Sequence, residues 1–217
     1  MGVDTDLFYP SYRRQPNDVV RIVAMWRPQT PRRGHKRLTE LYKRIRAEFG
    51  SMVSLEVYGQ DLELDLLDGC LDRHHGWLSQ RQAADLVRQM DIVIEPSDFQ
   101  GFGLPGLEAM ASGCILISTD NQGIHEYGQD GLNCVITNDI GVMVDRVSQV
   151  VESPWSHEFM KRNARKTSLD FDWSIIFCRW ADEILSWDAN WPFGFEKEAR
   201  EIRKKCEIIR ERWEGKI

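Results

Sequence analysis

The chain has 217 residues, a mass of 25.3 kDa and a formal net charge of −6 at pH 7. At about 100 to 200 residues per domain, this length predicts one domain or one and a half, and excludes a second complete catalytic domain. Hydrophobic residues make up 42% and charged residues 29%, which excludes wholesale disorder. The negative charge disfavours nucleic acid as a partner. No apolar run approaches the roughly 20 residues that a membrane-spanning helix needs.

The cysteines are odd in number, widely spaced and free of any CxxC pair, so we expect reduced thiols and neither a disulfide framework nor a zinc site. No cationic and apolar leader follows Met1. These features predict a soluble cytoplasmic protein without a transmembrane segment.

The first part of the chain alternates short apolar runs with segments of helical period. Buried strands are predicted over Val19 to Met25 and Met52 to Tyr58, and a short third strand over His75 to Leu78. Between the first two strands, a predicted helix ends at Gly50, which suits the left-handed position after a helix. Its apolar residues are Leu38, Leu41, Tyr42, Ile45 and Phe49.

The middle of the chain continues this alternation. Ser79 begins a capping-box pattern at the start of a second helix, which carries Ala83, Leu86, Val87 and Met90. A fourth strand is predicted over Ile92 to Glu95 and a fifth over Cys114 to Ser118. The helix between these strands has Pro105 at its first position and is closed by Gly113.

A sixth strand is predicted over Asn133 to Ile136, and Asp139 then caps a helix with Ile140, Val144, Val147 and Val151 on one side. About six strand–helix units in this order are typical of an α/β protein. We therefore predict a Rossmann-like, doubly wound parallel sheet with helices on both faces.

Three more helices are predicted towards the C-terminus. One opens at Pro154, and another, over Trp173 to Trp187, is rich in aromatic residues and suits either an interface or an ordinary core position. From Glu196 onward, a charged helix has an apolar seam two heptads long, which suits either a homodimer or docking on the chain's own domain. The seam consists of Ala199, Ile202, Cys206, Ile209 and Trp213.

The most informative segment is PSDFQGFGLPGLEAMASG, over Pro96 to Gly113. A strand end here delivers a glycine-containing loop to the N-terminus of a helix, where free N–H groups and the helix dipole favour phosphate or sugar oxygens. Glu108 lies just inside that helix, where its carboxylate can accept two ribose hydroxyls. The alternative is a solvent-facing glutamate that favours the first turn.

The segment resembles the GT-B class of retaining glycosyltransferases, group 1 (GT4-like), whose C-terminal domain carries a Glu-x7-Glu motif in the form EGFGLPxLEAMAxG. The chain has QGFGLPGLEAMASG, which matches at every position except the first. The resemblance implies that the loop holds the donor's sugar and phosphates through Gly101, Phe102, Gly103 and Leu104, and that Glu108 binds the ribose.

The resemblance extends on both sides of this motif. GVDTDLFYP, over Gly2 to Pro10, is similar to the family's interdomain linker, so we expect residues 1–11 to be a linker remnant and Met1 an added start. Residues 12–190 would then form the nucleotide-sugar-binding domain and 191–217 a charged C-terminal helix. DFDWS is similar to the family's entry to the last helix of the domain.

Further matches concern the donor's diphosphate and base. Arg27 matches a family arginine, and Arg33 before Gly34 replaces a lysine; both are expected to neutralise the diphosphate. The resemblance also places the base beside the backbone of Gly76, Trp77 and Leu78. GIHEYGQDGLNCVI is similar to a G-x-P-E segment, with His125 replacing the proline.

Gln100 stands where the family has its leading glutamate, which keeps hydrogen-bonding capacity but removes a negative charge near the reacting sugar. Asp98 or Glu95 are the candidates to supply the missing carboxylate, although the Glu95 side chain could also point to the far side of the sheet. With Arg27 and Arg33, Gln100 completes the set of expected catalytic residues.

The implied function is the donor-binding domain of a retaining enzyme that moves a sugar from a nucleotide-diphosphate sugar to an acceptor hydroxyl. This half is expected to be inactive without an N-terminal GT-B domain that carries the acceptor site. No metal-ligand constellation is present, so neither metal nor cofactor is expected.

Two alternatives remain from the sequence. One is a non-catalytic nucleotide-sugar sensor or partner subunit, which the Gln100 change favours. The more remote one is an NAD-binding oxidoreductase domain, because Gly101, Gly103 and Gly106 spell GxGxxG. In this chain the pattern follows the fourth strand instead of the first, which disfavours a dinucleotide site.

Overall fold

The computed structural model describes residues 1–11, 19–153, 157–186 and 196–214. Within them, six parallel strands form one sheet in the order β3-β2-β1-β4-β5-β6. The strands are β1 (Val20–Trp26), β2 (Val53–Gly59), β3 (Arg73–His74), β4 (Ile92–Glu95), β5 (Ile115–Ser118) and β6 (Val135–Ile136). This order is the doubly wound Rossmann order, so the predicted fold class is confirmed.

Seven α-helices are described, and their apolar spacing matches the predicted segments. They are α1 (His35–Phe49), α2 (Gln80–Val87), α3 (Leu104–Ala111), α4 (Ile140–Glu152), α5 (Glu158–Asp170), α6 (Trp173–Ser186) and α7 (Glu196–Glu214). The Ser79 capping box and the Asp139 cap are present, and Gly50 after α1 has a positive φ of 52°, although its ψ of −123° lies outside the left-handed helical conformation.

The predicted third strand was misplaced. The chain pairs with β2 at Arg73 and His74, before the segment that we expected, and then turns at Gly76, whose φ is 65°. A positive φ takes the backbone out of extended conformation, so His75 to Leu78 form a loop. The sixth strand is also shorter than predicted, because the Asn133 N–H donates to the Gln129 carbonyl in a turn and Cys134 bridges to Asp130.

The sheet has an apolar layer on each face. Alternate strand residues such as Ile22 and Leu55 pack against α1 and α4 on one face, while Val23 and Val93 pack with α2 and α3 on the other. Strands with both faces covered read as continuous apolar runs, which explains the sequence pattern of β1, β4 and β5.

Helices α6 and α7 pack against each other and form a third, small apolar cluster. The seam of α7 faces α6: Ala199 and Cys206 are buried, and Cys206 lies against Cys178. Docking on the chain's own domain therefore accounts for the described part of the seam, and the homodimer stays a prediction. The opposite face of α6 exposes a stripe of large apolar side chains: Trp173, Phe177, Trp180 and Ile184.

The start of the chain is hydrogen-bonded to the residues at the start of α6. Val3 pairs with Asp172 as a parallel bridge, and its backbone exchanges hydrogen bonds with Phe171 and Trp173. The predicted domain limits at 11/12 and 190/191 border or fall in residues outside the described ranges, as do the helix start at Pro154 and the predicted end at Trp187.

Candidate functional site

The candidate site lies at the carboxyl ends of β1 and β4, the neighbouring strands from which the sheet is wound in opposite directions. Ligands of open α/β sheets bind in the crevice at such a switch point. Each strand is followed by a loop that ends in a left-handed glycine directly before a helix: Gly34 before α1 (φ 67°) and Gly103 before α3 (φ 86°).

The two loops touch at Gly34. A Cβ atom on Gly34 would lie 1.8 Å from the carbonyl oxygen of Pro96, so only glycine fits this contact. The Asp98 N–H donates to the Arg32 carbonyl at 2.8 Å, and Arg37 donates to the Pro96 carbonyl and to Asp98 at 2.8 and 2.7 Å. The glycine and its flanking hydrogen bonds therefore hold the two loops together.

The N-terminus of α3 presents free hydrogen-bond donors. Among the described residues, the N–H groups of Gly103 and Leu104 have no acceptor, and Pro105 has no N–H. Tyr127 fixes the turn because its hydroxyl donates to the Gly103 carbonyl and occupies the space where a Cβ of Gly106 would lie. Free amides at the positive end of a helix dipole form a site for anionic or hydroxyl oxygens.

Glu108 lies in the second turn of α3 and is largely buried. Its carboxylate receives no hydrogen bond or ion pair within the described part of the chain. Burial raises the pKa of Glu108 to about 7 from its ordinary value of 4.5. A buried carboxylate without protein partners beside free amides is suited to accept hydrogen bonds from ligand hydroxyls.

Arg27 is the cation directly beyond β1. Its guanidinium lies 5.7 Å from the centroid of the Trp77 ring, and its Nε is buried with no hydrogen-bond partner in the described residues. The charges of Glu108, Glu95 and Arg27 all act on the buried Tyr58, whose pKa is raised mainly by desolvation. The structure thus brings Arg27, Glu95 and Glu108 around one tyrosine.

The other basic residues of the β1–α1 loop have different surroundings. Arg33 is half-buried just before Gly34. Arg32 lies over the Phe99 ring at 5.6 Å, and Arg37 is committed to its ion pair with Asp98. A cleft of 310 Å³ opens between this loop, the start of α1 and Asp98.

The segment predicted to border a base lies next to Arg27. The Gly59 N–H at the end of β2 donates to the Gly76 carbonyl at 2.8 Å, which ties the loop to the sheet. The Trp77 side chain is 63% exposed, while Leu78 is half-buried and packs against the second face of the sheet. Trp77 therefore stands at the mouth of the crevice.

The glycine-rich loop is supported by an aromatic cluster. The Phe102 ring packs against Tyr127 and Phe171, with centroids 5.5 and 5.9 Å apart, so its side chain supports the loop and only its backbone is left to face a ligand. Gly101 is exposed beside it.

Gln100 is buried and bound to the carboxyl end of β4. Its backbone N–H donates to the Asn121 carbonyl at 2.8 Å, and its side-chain amide donates to the Ser97 hydroxyl at 3.1 Å. The Ser97 hydroxyl in turn donates to Glu95. Glu95 therefore points towards this loop and not to the far side of the sheet, whereas Asp98 is taken up by Arg37.

Three residues at the site were not predicted from the sequence: Tyr58, Tyr127 and Arg37. Tyr58 could have been suspected, because it is the next-to-last residue of β2 and faces the side of the sheet opposite the buried Val57. Tyr127 and Arg37 act only through contacts with a distant loop, and such contacts leave no signal in the sequence.

Across the described ranges, no group of three or more His, Cys, Asp and Glu side chains could hold a metal ion, and all five cysteines are free and buried. In those same ranges, no helix is long and apolar enough to cross a membrane.

The chain is similar in sequence to a known family and to two mycobacterial enzymes. A family model described as "Glycosyl transferases group 1" matches residues 15–167. An MMP α-(1→4)-mannosyltransferase of Mycolicibacterium hassiacum is 28% identical over 186 residues, which cover 81% of this chain and 44% of that protein. A glycogen synthase of Mycobacterium tuberculosis is 25% identical over 197 residues, which cover 85% of this chain and 47% of that protein. The chain thus spans less than half the length of these relatives.

Solved structures share the fold. The C-terminal domain of a glycosyl transferase group 1 family protein (LpcC) from Francisella tularensis superposes with a TM-score of 0.64 at 23% identity, covering 76% of this chain and 96% of that one. Anabaena Alr3699/HepE, solved in complex with UDP and glucose, superposes with a TM-score of 0.68 at 19% identity. The match covers 85% of this chain and 55% of that one. The matched family model covers more than half of the chain, so the chain belongs to the group 1 glycosyl transferases, with the fold of a GT-B C-terminal domain.

Proposed function

We propose that the chain is the donor-binding domain of a retaining glycosyltransferase that moves a sugar from a nucleotide-diphosphate sugar to an acceptor hydroxyl. The observation that carries the proposal is Glu108, a largely buried carboxylate without a described partner, in the helix whose first turn holds the free amides of Gly103 and Leu104. Relatives named as a mannosyltransferase and a glycogen synthase, and a neighbour solved with UDP, support the same chemistry.

In this proposal each group has a separate role. Glu108 accepts hydrogen bonds from two ribose hydroxyls, and the Gly103 and Leu104 amides donate to the diphosphate. Arg27 and Arg33 neutralise the charge that develops on the leaving diphosphate, which is the largest electrostatic demand of such a transfer. The loop at Gly76, Trp77 and Leu78 borders the base, while Gln100 contacts the sugar.

We further propose that no metal ion or other cofactor takes part in binding. The two arginines carry the positive charge that a divalent cation would otherwise supply. Calorimetric titration of UDP, GDP and ADP should give the same affinity with EDTA as with added Mg²⁺ or Mn²⁺. A gain of tenfold or more with either cation would contradict this part of the proposal.

The ribose role is tested by Glu108→Ala. We expect nucleoside diphosphate affinity to fall by about 1 to 3 kcal/mol, the cost of removing a charge-assisted hydrogen-bond acceptor. Glu48→Ala, which removes an exposed carboxylate near the far end of α1, is the matched control and should bind like the parent. Equal titration curves for Glu108→Ala and the parent would remove the ribose assignment.

A non-catalytic nucleotide-sugar sensor or partner subunit is the second candidate, and Gln100 favours it because the family's glutamate is absent. Both candidates bind nucleotide sugars, so binding does not separate them. Joining the chain to an N-terminal GT-B domain does: turnover of nucleotide sugar supports the enzyme, and tight binding without turnover supports the sensor.

A further inference from the structure

Three residues at the carboxyl end of β4 form a hydrogen-bonded relay, Glu95–Ser97–Gln100. Glu95 ends a buried strand and is only 6% exposed. Its Oε1 accepts from the Ser97 N–H at 3.1 Å and from the Ser97 hydroxyl. The Gln100 Nε2 donates to the Ser97 Oγ at 3.1 Å, and Gln100 is 8% exposed.

The proton count fixes the direction of the relay. A serine hydroxyl has one hydrogen, and the Ser97 hydroxyl donates it to the Glu95 Oε1. The Ser97 Oγ is then left with lone pairs, so the group that faces it must be the NH₂ of Gln100 and not its carbonyl oxygen. This network sets the orientation of the Gln100 amide.

The same count determines what Gln100 offers to a ligand. With its nitrogen held by Ser97, the Oε1 of Gln100 accepts no hydrogen bond from any residue that the structure describes. The backbone of Gln100 is fixed as well, since its N–H donates to Asn121 and the residue bridges to Gln122. Gln100 is therefore a neutral, oriented acceptor beside the glycine-rich loop.

We propose that Glu95 and Ser97 are positioning residues that lock the Gln100 amide, so that its Oε1 accepts a hydrogen bond from a hydroxyl of the donor sugar. This step rests on the proposed function. In the resembling family, a carboxylate stands at position 100. In this chain the amide of Gln100 stands there, and the nearest carboxylate of the relay is Glu95, on the other side of the Ser97 hydroxyl. Gln100 thus keeps a hydrogen-bond acceptor at the sugar without a negative charge.

The relay also makes a prediction about Gln100→Glu. A second carboxylate at position 100 would face the Ser97 Oγ, whose only hydrogen is already given to Glu95. Two carboxylates one hydroxyl apart repel each other. Exchanging the two residues removes this conflict. In Glu95→Gln/Gln100→Glu, the Ser97 hydroxyl donates to the carboxylate at position 100 and accepts from the amide nitrogen at position 95, whose amide oxygen accepts from the Ser97 N–H.

The experiment is a cycle of the parent, Glu95→Gln, Gln100→Glu and the double variant, with Ser97→Ala as a break in the relay. Asp145→Asn, which neutralises an exposed carboxylate of α4, is the control for loss of charge alone. Each protein is melted without ligand and then titrated with UDP-glucose, GDP-mannose, UDP and GDP.

Without ligand, Gln100→Glu should melt about 3 to 6 °C below the parent, and the double variant should regain most of that loss. In titrations, Ser97→Ala and Gln100→Glu should lose about tenfold in affinity for the nucleotide sugar that the parent binds best, while UDP and GDP stay within about twofold. The double variant should regain the affinity for the nucleotide sugar that Gln100→Glu loses. Recovery by a charge exchange is not expected of residues that only support the loop.

The outcomes separate this proposal from the proposed function. If the double variant melts no higher than Gln100→Glu, the relay does not exist and the proposal is overturned, whatever the ligand data. If the relay is present but UDP and GDP weaken as much as the nucleotide sugars, Gln100 does not contact the sugar. If the relay is present and no variant, the parent included, binds any of the four ligands, the proposed function fails, and the sugar contact fails with it.

Discussion

At the scale of single residues, Glu108 is notable because no described group donates a hydrogen bond to its carboxylate. Its position in the second turn of α3 would suit a solvent-exposed glutamate, yet the side chain is largely buried and no described group donates to it. Burial without a partner makes the ionised form costly, and this is why its pKa rises to about 7. The carboxylate is thus held ready for donors that a ligand brings.

This cost can be measured as a dependence of stability on pH. Because the pKa of Glu108 is higher in the folded than in the unfolded chain, its contribution to stability is fully present below about pH 4.5 and is lost as the pH rises through about 7. The full loss corresponds to about 3 kcal/mol. Glu108→Gln cannot ionise, so it should be as stable as the parent at pH 4.5 and more stable at pH 8.

Urea denaturation of both proteins at the two pH values checks this. The slope of the free energy against urea concentration should be unchanged, since the same surface is exposed on unfolding. An equal change between pH 4.5 and pH 8 in both proteins would show that Glu108 is not the group that titrates.

The arginines give a second prediction at this scale. Arg27→Ala and Arg33→Ala should each lose about 1.5 to 3 kcal/mol of affinity for a nucleoside diphosphate and almost none for the nucleoside, because only phosphate contacts are removed. Arg44→Ala, on the exposed side of α1 and paired with Glu40, is the control. Calorimetry with UDP and uridine checks this, and an equal loss for both ligands would make the arginines structural.

At the scale of elements, the site depends on how closely two loops approach. The loops after β1 and β4 meet where Gly34 lies against the Pro96 carbonyl, and this contact sets the separation between the starts of α1 and α3. Gly34 serves two needs at once, a positive φ and the absence of a Cβ. Only the first of these is a local property of the turn.

Replacing this glycine separates the two needs. Gly34→Ala should destabilise the chain by about 2 kcal/mol or more beyond Gly69→Ala, because both positions have a positive φ but nothing lies within 4 Å of a Cβ at Gly69. Chemical denaturation of the two variants measures the difference. If both lose the same free energy, the contact with Pro96 can relax and does not hold the loops together.

At the scale of the whole molecule, the chain spans less than half the length of the relatives that it matches. The proposed donor site occupies the crevice at the carboxyl ends of β1 and β4. The exposed apolar stripe on α6 begins beside the paired residues Val3 and Asp172.

We therefore expect the 217-residue chain to fold alone and bind a nucleotide sugar without transferring the sugar to an acceptor. In the proposed function the acceptor site lies on a second domain, and closure of the two domains would bring the acceptor to the donor. Thermal denaturation and calorimetry test folding and binding, and release of free diphosphate in the presence of candidate acceptors tests transfer. Acceptor glycosylation by this chain alone would overturn the expectation.

The sequence by itself determined the fold class and the family, and it predicted where a donor site would lie. Apolar runs separated by helix-period segments indicate a parallel sheet covered on both faces, because such strands must be apolar on both sides. The motif from Gln100 to Gly113 identified the family, and its spacing placed Glu108 inside a helix that begins at a glycine-rich loop. These are local properties, which short stretches of sequence encode directly.

The tertiary structure alone decided where side chains point and what they meet. The sequence could not tell whether Glu95 faced the loop or the far side of the sheet, since this depends on the register of β4 against β1 and β5. It could not show that Phe102 supports the loop through Tyr127 and Phe171. It gave no sign that the third strand would end before Gly76. Each of these depends on contacts between residues far apart in the chain, and such contacts form only when the sheet and its helices pack together.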